Sequence, residues 1–253
     1  MSIETKEDHL KQFFRADGKT MILPIDHGTA IPVPGLEDPR SLIEALNPIV
    51  DGYVVNLGTA NAFADVLEGK GVCFRTDVYK PAAEGNRDLG SYMVYTAEDA
   101  LEVGANAVMN MLYTHHGEED RIIAECANLI SQGMAMEMPV ILEALPYGIG
   151  RGDEYTLENI SFTVRMAAEL GADVVKTAYP TGASADEFRS IIEASYVPVV
   201  VLGGAAMGDD DALLKMVSDA MAAGAAGVAI GRNVWQHPQP EEIAKRMCEI
   251  IHG

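Results

Sequence analysis

Eight short apolar or β-branched runs, spaced along the whole chain with helical stretches between them, limit the fold more than any other feature. They are TMILPID (20–26), GYVVNLG (52–58), GVCFRTD (71–77), NAVMNML (106–112), PVILEAL (139–145), DVVKTAY (173–179), PVVVLGG (198–204) and AGVAIGR (226–232). Continuous apolar runs, in place of strict alternation, suit parallel strands covered on both faces. EEDRIIAECANLISQGM, TLENISFTVRMAAEL and DDDALLKMVSDAMAAG carry helical periodicity between them. Three helical stretches end in Gly-Ala just before a strand, in EVGANAV, ELGADVV and MAAGAAGVA, as a left-handed helix stop requires. Acids open several helices (Glu118 to Asp120, Asp209 to Asp211, Glu241 and Glu242), where the helix dipole favours them. Residues 78–95 are the least regular stretch and read as a long loop after the third strand. Eight strand–helix units in 253 residues predict a single (β/α)8 TIM barrel, of the α/β class, over residues 1–253. A doubly wound open sheet is the alternative, and it lacks a G-x-G-x-x-G after the first strand.

Composition restricts the partners. Acids outnumber bases 38 to 18, a formal charge of −20, which argues against nucleic acid or an anionic membrane as partner. An anionic substrate would have to be held by a local device such as backbone amides at a helix start. Cys73, Cys126 and Cys248 form no metal or disulfide pattern, and the start MSIETKEDHLKQFF lacks the apolar core of a signal peptide. The longest apolar stretch, Tyr196 to Gly208, is too short to span a bilayer. A cytoplasmic protein is expected.

In a barrel of this kind chemistry sits where strands end and the following loops begin. That rule selects Asp26, His27, Asn56, Arg75, Asp77, His115, His116, Glu143, Tyr147, Lys176, Tyr179, Gly203, Gly204, Gly231 and Arg232. Of the 8 lysines, only Lys176 lies inside a run that reads as a buried strand, Val174-Val175-Lys176-Thr177-Ala178. Burial disfavours its charged form, and a neutral amine is a carbonyl nucleophile that forms a Schiff base. The same residue would serve equally as the partner of an inward acid such as Asp26 or Glu143. Asp26, ending the first strand before His27-Gly28, is placed to handle protons or hold a hydroxyl, or else to cap the next turn. Tyr147, in the glycine-rich LPYGIGRG loop after the fifth strand, is a candidate proton-transfer group or a packing residue. Gly203-Gly204 and Gly231-Arg232 follow strands seven and eight, where phosphate sites form in such barrels. Their glycines either let amides reach the oxygens or relieve crowding. His27 completes the substrate-binding set. His115-His116 lacks a third ligand at metal spacing, so no metal is assigned. Trp235 reads as packing.

ILPIDHG (22–28), GADVVKTAY (171–179) and GRNVWQHP (231–238), in this order and spacing, are similar to the archaeal-type class I fructose-bisphosphate aldolases. The resemblance extends to their autoinducer-2 phosphate thiolase and amino-dideoxy-heptulosonate synthase relatives and covers roughly residues 10–250. It implies a barrel that assembles into homo-oligomers, with a Schiff-base lysine at Lys176, an aspartate at Asp26 and phosphate loops at Gly203, Gly204, Gly231 and Arg232. It further implies a tyrosine after strand five, here Tyr147, and no cofactor or metal. The local PYGIGRG departs from the family pattern. So do Thr29-Ala30-Ile31-Pro32, where a second histidine motif is common, and Gly203-Gly204-Ala205-Ala206, where Gly-Gly-Pro-Lys is common. The implied activity is reversible carbon–carbon cleavage of a phosphorylated ketose, with fructose 1,6-bisphosphate one candidate. The alternatives are acyl or aldol transfer on a phosphorylated dione or ketose, and a phosphosugar-binding barrel without chemistry.

Overall fold

The computed structural model describes residues 4–80 and 90–253. Eight strands form a closed barrel: β1 (Thr20–Pro24), β2 (Gly52–Val55), β3 (Gly71–Arg75), β4 (Ala107–Thr114), β5 (Val140–Pro146), β6 (Val174–Ala178), β7 (Val199–Leu202) and β8 (Gly227–Ala229). Every neighbouring pair is parallel, and β1 pairs with both β2 and β8 to shut the ring. All eight apolar runs become barrel strands, so the expected (β/α)8 class is the observed one.

Helices Glu119–Met136, Leu157–Leu170 and Asp210–Ala223 occupy the three stretches where periodicity predicts them. Gly171 and Gly224 close the last two in the left-handed conformation, with φ of 108° and 100°. The Asp209 carboxylate accepts from the Ala212 amide and caps the start of the third. Among the described residues, no helix is long and apolar enough to cross a membrane.

The segment 78–95 corrects the expectation of a plain loop. Asp77–Tyr79 pairs antiparallel with Ser91–Met93, and the Thr76 carbonyl accepts from the Val94 and Tyr95 amides to close the arm. Two strands of three residues each are too short to show a period, and one begins inside the third apolar run. Residues 81–89, also within that expected loop, lie outside the described residues.

Strand alternation fixes what fills the barrel. Ile22, Val54, Cys73, Met109, Ile141, Val174, Val200 and Ala229 form one buried cluster inside the ring, closed by Phe13 from the N-terminal segment. A second, larger cluster joins the outer faces of the strands to the helices. Because side chains repeat every two residues, four positions two after inward residues lie one layer nearer the C-terminal mouth, lining the cavity there. Cys73 therefore sets Arg75, Ile141 sets Glu143, Val174 sets Lys176 and Ala229 sets Gly231.

Candidate active site

A cavity of about 340 Å³ opens at that mouth, and Arg75, Glu143 and Lys176 form part of its floor. Strand register places Lys176 directly beside Glu143. Lys176, 4% exposed, lies with its Nζ 2.9 Å from Glu143 Oε1 and 3.9 Å from Met109 Sδ. The ion-pair alternative for this lysine is thus realised, with Glu143 and not Asp26 as partner. The pair sits inside the cavity, where both residues line it.

Arg75 ties three acids together. Its Nε donates to Asp26 Oδ2 at 2.7 Å, its Nη1 to Asp77 Oδ1 at 3.3 Å and its Nη2 to Glu143 Oε2. All four side chains are buried, and the Tyr79 ring lies 5.1 Å from the guanidinium carbon. Burial alone would push the Asp26 carboxyl up, but Arg75, His27 and Lys176 together hold it well below the usual carboxylate range. Glu143 follows the same balance: burial raises it, and Lys176 and Arg75 outweigh burial, leaving it lowered. Asp77 goes the other way. Burial raises it and prevails over Arg75 and the Ser91 hydroxyl that donates to its other oxygen. Asp26 Oδ1 is buried without a hydrogen-bond partner; His27 Nδ1 is 3.4 Å away but is also unpartnered, so no bond joins them. One carboxylate oxygen is therefore left to accept from a substrate hydroxyl.

The anion-binding candidates also meet here. Gly203, Gly204, Gly231 and Arg232 all line the cavity, as does His27. Crowding explains two of the glycines: a Cβ on Gly203 would come within 2.6 Å of Ile230 Cγ2, and one on Gly231 within 2.6 Å of the Pro24 carbonyl. Gly204 has φ of 64° and open space around it, so its need is conformational. Asn233 Nδ2 donates to the carbonyls of Gly203 and Ala205 at 3.0 and 3.1 Å, and its Oδ1 accepts from the Met207 amide at 2.7 Å. That clasp orients the loop, and the amides of Gly204 and Ala205 have no acceptor among the described residues. Arg232 makes no side-chain hydrogen bond or ion pair among the described residues, and its Nε is buried. Crowding relief and anion binding coexist in these loops.

Tyr147 is the misplaced candidate. It adopts φ of 59°, and its ring lies 5.3 Å from that of His115 and 5.8 Å from the Arg151 guanidinium carbon, outside the cavity lining. Tyr155, farther along the same loop, lines the cavity instead; its hydroxyl donates to the Gly148 carbonyl at 3.0 Å, and burial pushes it up to about 12. The remaining strand-end residues stay outside. His115 stacks on Phe162 with 5.0 Å between ring centres, and Tyr179 packs on Phe188. His116 Nδ1 accepts from the Glu118 amide, and Asn56 holds the Asp26 carbonyl at 2.6 Å. Trp235 is packing, as expected, with its indole N–H donating to the Pro24 carbonyl. Among the described residues no group of three or more His, Cys, Asp or Glu could hold a metal ion.

The chain is thus a closed parallel barrel whose mouth carries a buried lysine, a carboxylate against it and an arginine without a side-chain partner beside glycine loops. The chain belongs to the DeoC/LacD family of aldolases, matching it over residues 20–237. It is 33% identical over 239 residues to 2-amino-3,7-dideoxy-D-threo-hept-6-ulosonate synthase 1 of Archaeoglobus fulgidus, covering 94% of this chain and 87% of that one. The corresponding synthase of Halobacterium salinarum is 30% identical over 256 residues, covering 93% and 88%. Among solved structures, a Schiff-base-forming fructose-1,6-bisphosphate aldolase superposes with a TM-score of 0.88 at 26% identity, over 98% of this chain and 100% of that one. The family resemblance carried by ILPIDHG, GADVVKTAY and GRNVWQHP holds.

Proposed function

We propose that this protein is a class I, lysine-based aldolase acting on a phosphorylated ketose, with Lys176 as the nucleophile. The observation that carries the reading is the Lys176–Glu143 pair at 2.9 Å inside a cavity that also contains the unpaired Arg232. Glu143 takes a proton from the ammonium, and the free amine attacks the ketone carbon. The same carboxyl returns the proton to the carbinolamine hydroxyl, which leaves as water and gives an iminium. In cleavage, the unpartnered Asp26 Oδ1 accepts the proton of the hydroxyl on the far carbon of the bond that breaks, which becomes the aldehyde carbonyl. The bonding pair moves into the iminium to form an enamine, and an aldehyde departs. Protonation of the enamine carbon and hydrolysis of the resulting iminium release the ketone product and restore the amine. Arg232 and the amides of Gly204 and Ala205 hold the phosphate. Glu143 replaces Tyr147 as the proton carrier, and Tyr155 forms cavity wall.

The test is intact-protein mass after borohydride reduction with a panel of phosphorylated ketones, followed by peptide mapping. A ligand-sized gain at Lys176, absent in Lys176→Met, is the expected result. No gain with any ketone, while the sugar phosphates still bind, would leave a binding barrel and defeat the aldolase reading.

The likeness at 30–33% identity to two heptulosonate synthases favours a second reading, in which the enamine is passed to a carbonyl acceptor and is not protonated. The lysine chemistry is shared. Product analysis with the trapped ketone and a series of aldehydes separates net cleavage from transfer.

A further inference from the structure

Four of the five charged side chains joined at the barrel mouth line the cavity: Asp26, Arg75, Glu143 and Lys176. The fifth, Asp77, is just as buried and lies outside that lining. It meets the site through Arg75, whose Nη1 donates to its Oδ1 at 3.3 Å, while its Oδ2 accepts from the Ser91 hydroxyl across the hairpin. Two places on from Asp77, and so on the same strand face, the Tyr79 ring lies 5.1 Å from the guanidinium carbon. One hairpin strand thus holds the arginine by an edge and against a ring. The hairpin is fastened independently of the cavity. Arg121 Nη2 donates to the Ser91 carbonyl at 2.7 Å, Arg121 Nη1 pairs with Glu125 Oε1 at 2.6 Å, and Glu125 Oε2 accepts from the Met93 amide at 3.1 Å.

A guanidinium is planar, so this grip sets the directions of its remaining donors. They fall on one oxygen of each acid in the cavity: Nε on Asp26 Oδ2 at 2.7 Å, and Nη2 on Glu143 Oε2. The opposite oxygens are left for chemistry. Asp26 Oδ1 has no hydrogen-bond partner, and Glu143 Oε1 faces Lys176 Nζ at 2.9 Å. A proton on Glu143 Oε2 would set donor against donor at Nη2, whereas on Oε1 it lies beside the lysine. We infer that Asp77 is a positioning residue: by fixing Arg75 it decides that Oε1 of Glu143 carries the proton between Lys176 and the carbinolamine, and that Oδ1 of Asp26 meets the substrate. The inference rests on the aldolase reading. The proton leaves the Lys176 ammonium for Oε1 as the amine is freed. It returns from Oε1 to the carbinolamine hydroxyl, which departs as water while the nitrogen lone pair forms the C=N bond, so Glu143 ends ionised as it began. Without its anchor Arg75 can follow either carboxylate, and Glu143 offers both oxygens in turn.

The experiment measures the rate of borohydride trapping at Lys176 against ketone concentration, with dihydroxyacetone phosphate first and a panel of other phosphorylated ketones after it. Asp77→Ala is expected to lower the maximal trapping rate by about 10- to 100-fold, and to leave the half-saturating concentration and the calorimetric affinity for inorganic phosphate within about twofold. Asp77→Asn, which still accepts from Arg75, should recover the rate to within about threefold of the wild type. In a Glu143→Gln background Asp77→Ala should cost less than about threefold, because no carboxyl proton remains to be placed; a merely structural role would multiply the two losses. If Asp77→Ala does not fold, Ser91→Ala takes its place in the same cycle, with an expected loss of about threefold or more that Glu143→Gln likewise removes. A wild-type trapping rate in the anchor variant, losses that multiply, or lost phosphate binding would each overturn the inference and leave the aldolase reading standing. If wild-type Lys176 forms no adduct with any ketone, the aldolase reading fails and this inference falls with it.

Discussion

Glu143 is the residue on which two of the charges in the barrel mouth converge, and its replacement separates chemistry from structure. Glu143→Gln keeps the shape and can still accept from Arg75, but it cannot carry a proton between Lys176 and the carbinolamine. The expected result is a fall in kcat of about 10² to 10⁴, with slowed borohydride trapping and phosphate binding unchanged by calorimetry. Arg75→Met acts differently, since it leaves Asp26, Asp77 and Glu143 buried without their shared cation. A loss of about 3–5 kcal/mol is expected, measured by denaturant unfolding. A loss below about 1 kcal/mol would show that these acids do not depend on Arg75. Lys176 is legible in the sequence because a lysine within an apolar strand run has few explanations. Arg75 and Glu143 obey the same rule, each two places after an inward apolar residue, Cys73 and Ile141. Glu143 is named only as one possible acid partner of Lys176 and Arg75 receives no role, because the sequence does not show that β3 and β5 bring them together. Tyr147 is the contrasting case, a candidate that the structure leaves outside the cavity lining. It follows β5 as the family resemblance expects, yet it adopts φ of 59°, and no pattern of residue types announces a left-handed tyrosine.

The seam between β8 and β1 shows how single positions decide whether an element can pair. Gly227 has φ of 139°, and a Cβ there would stand 1.9 Å from the Thr20 carbonyl oxygen, its register partner in β1. Gly227→Ala would force the closing strands apart. It is expected to lower thermal stability by several degrees, because backbone atoms cannot yield as a side chain can. The comparison is Gly204→Ala, with open space around its Cβ, where only the left-handed conformation is penalised; differential scanning calorimetry on the two variants should show the larger drop for the first. Strands and long helices are readable because apolar runs and 3.6-residue periods extend over enough residues to be counted. The hairpin formed by Asp77–Tyr79 and Ser91–Met93 escapes detection because its stability is not in its own pattern. It depends on Arg121 Nη2 donating to the Ser91 carbonyl at 2.7 Å and on Asp77 accepting from Ser91 and Arg75, contacts that exist only once the barrel has closed. Through this hairpin the fold delivers both Asp77 to the buried charge network and Tyr79 to the cavity wall.

For the whole molecule, the −20 formal charge and the buried charge network pull stability in opposite directions as pH falls. With 38 acids, 18 bases and 6 histidines, protonating every histidine takes the formal charge from −20 to −14 and relieves self-repulsion. His252, with its ring nitrogens 2.8 Å from Asp17 and 3.1 Å from Asp51, fastens the last helix to the barrel base. Below that range the sign reverses. Asp26 and Glu143 titrate lower in the folded chain than in the unfolded one. Their contribution is complete above the unfolded carboxylate value of about 4 and is lost as pH drops toward the folded values. Asp77, raised by burial, opposes this but is one acid against two. The melting temperature at low ionic strength should therefore rise from pH 7 to about pH 5 and fall below about pH 4. Added salt at about 0.5 M should flatten the rise, because exposed charges are screened, and leave the acid-side fall in place, because the pairs of Arg75 and Lys176 are buried. A fall that salt removes as well would mean that surface repulsion, and not the network in the barrel mouth, governs the acid limit of this fold.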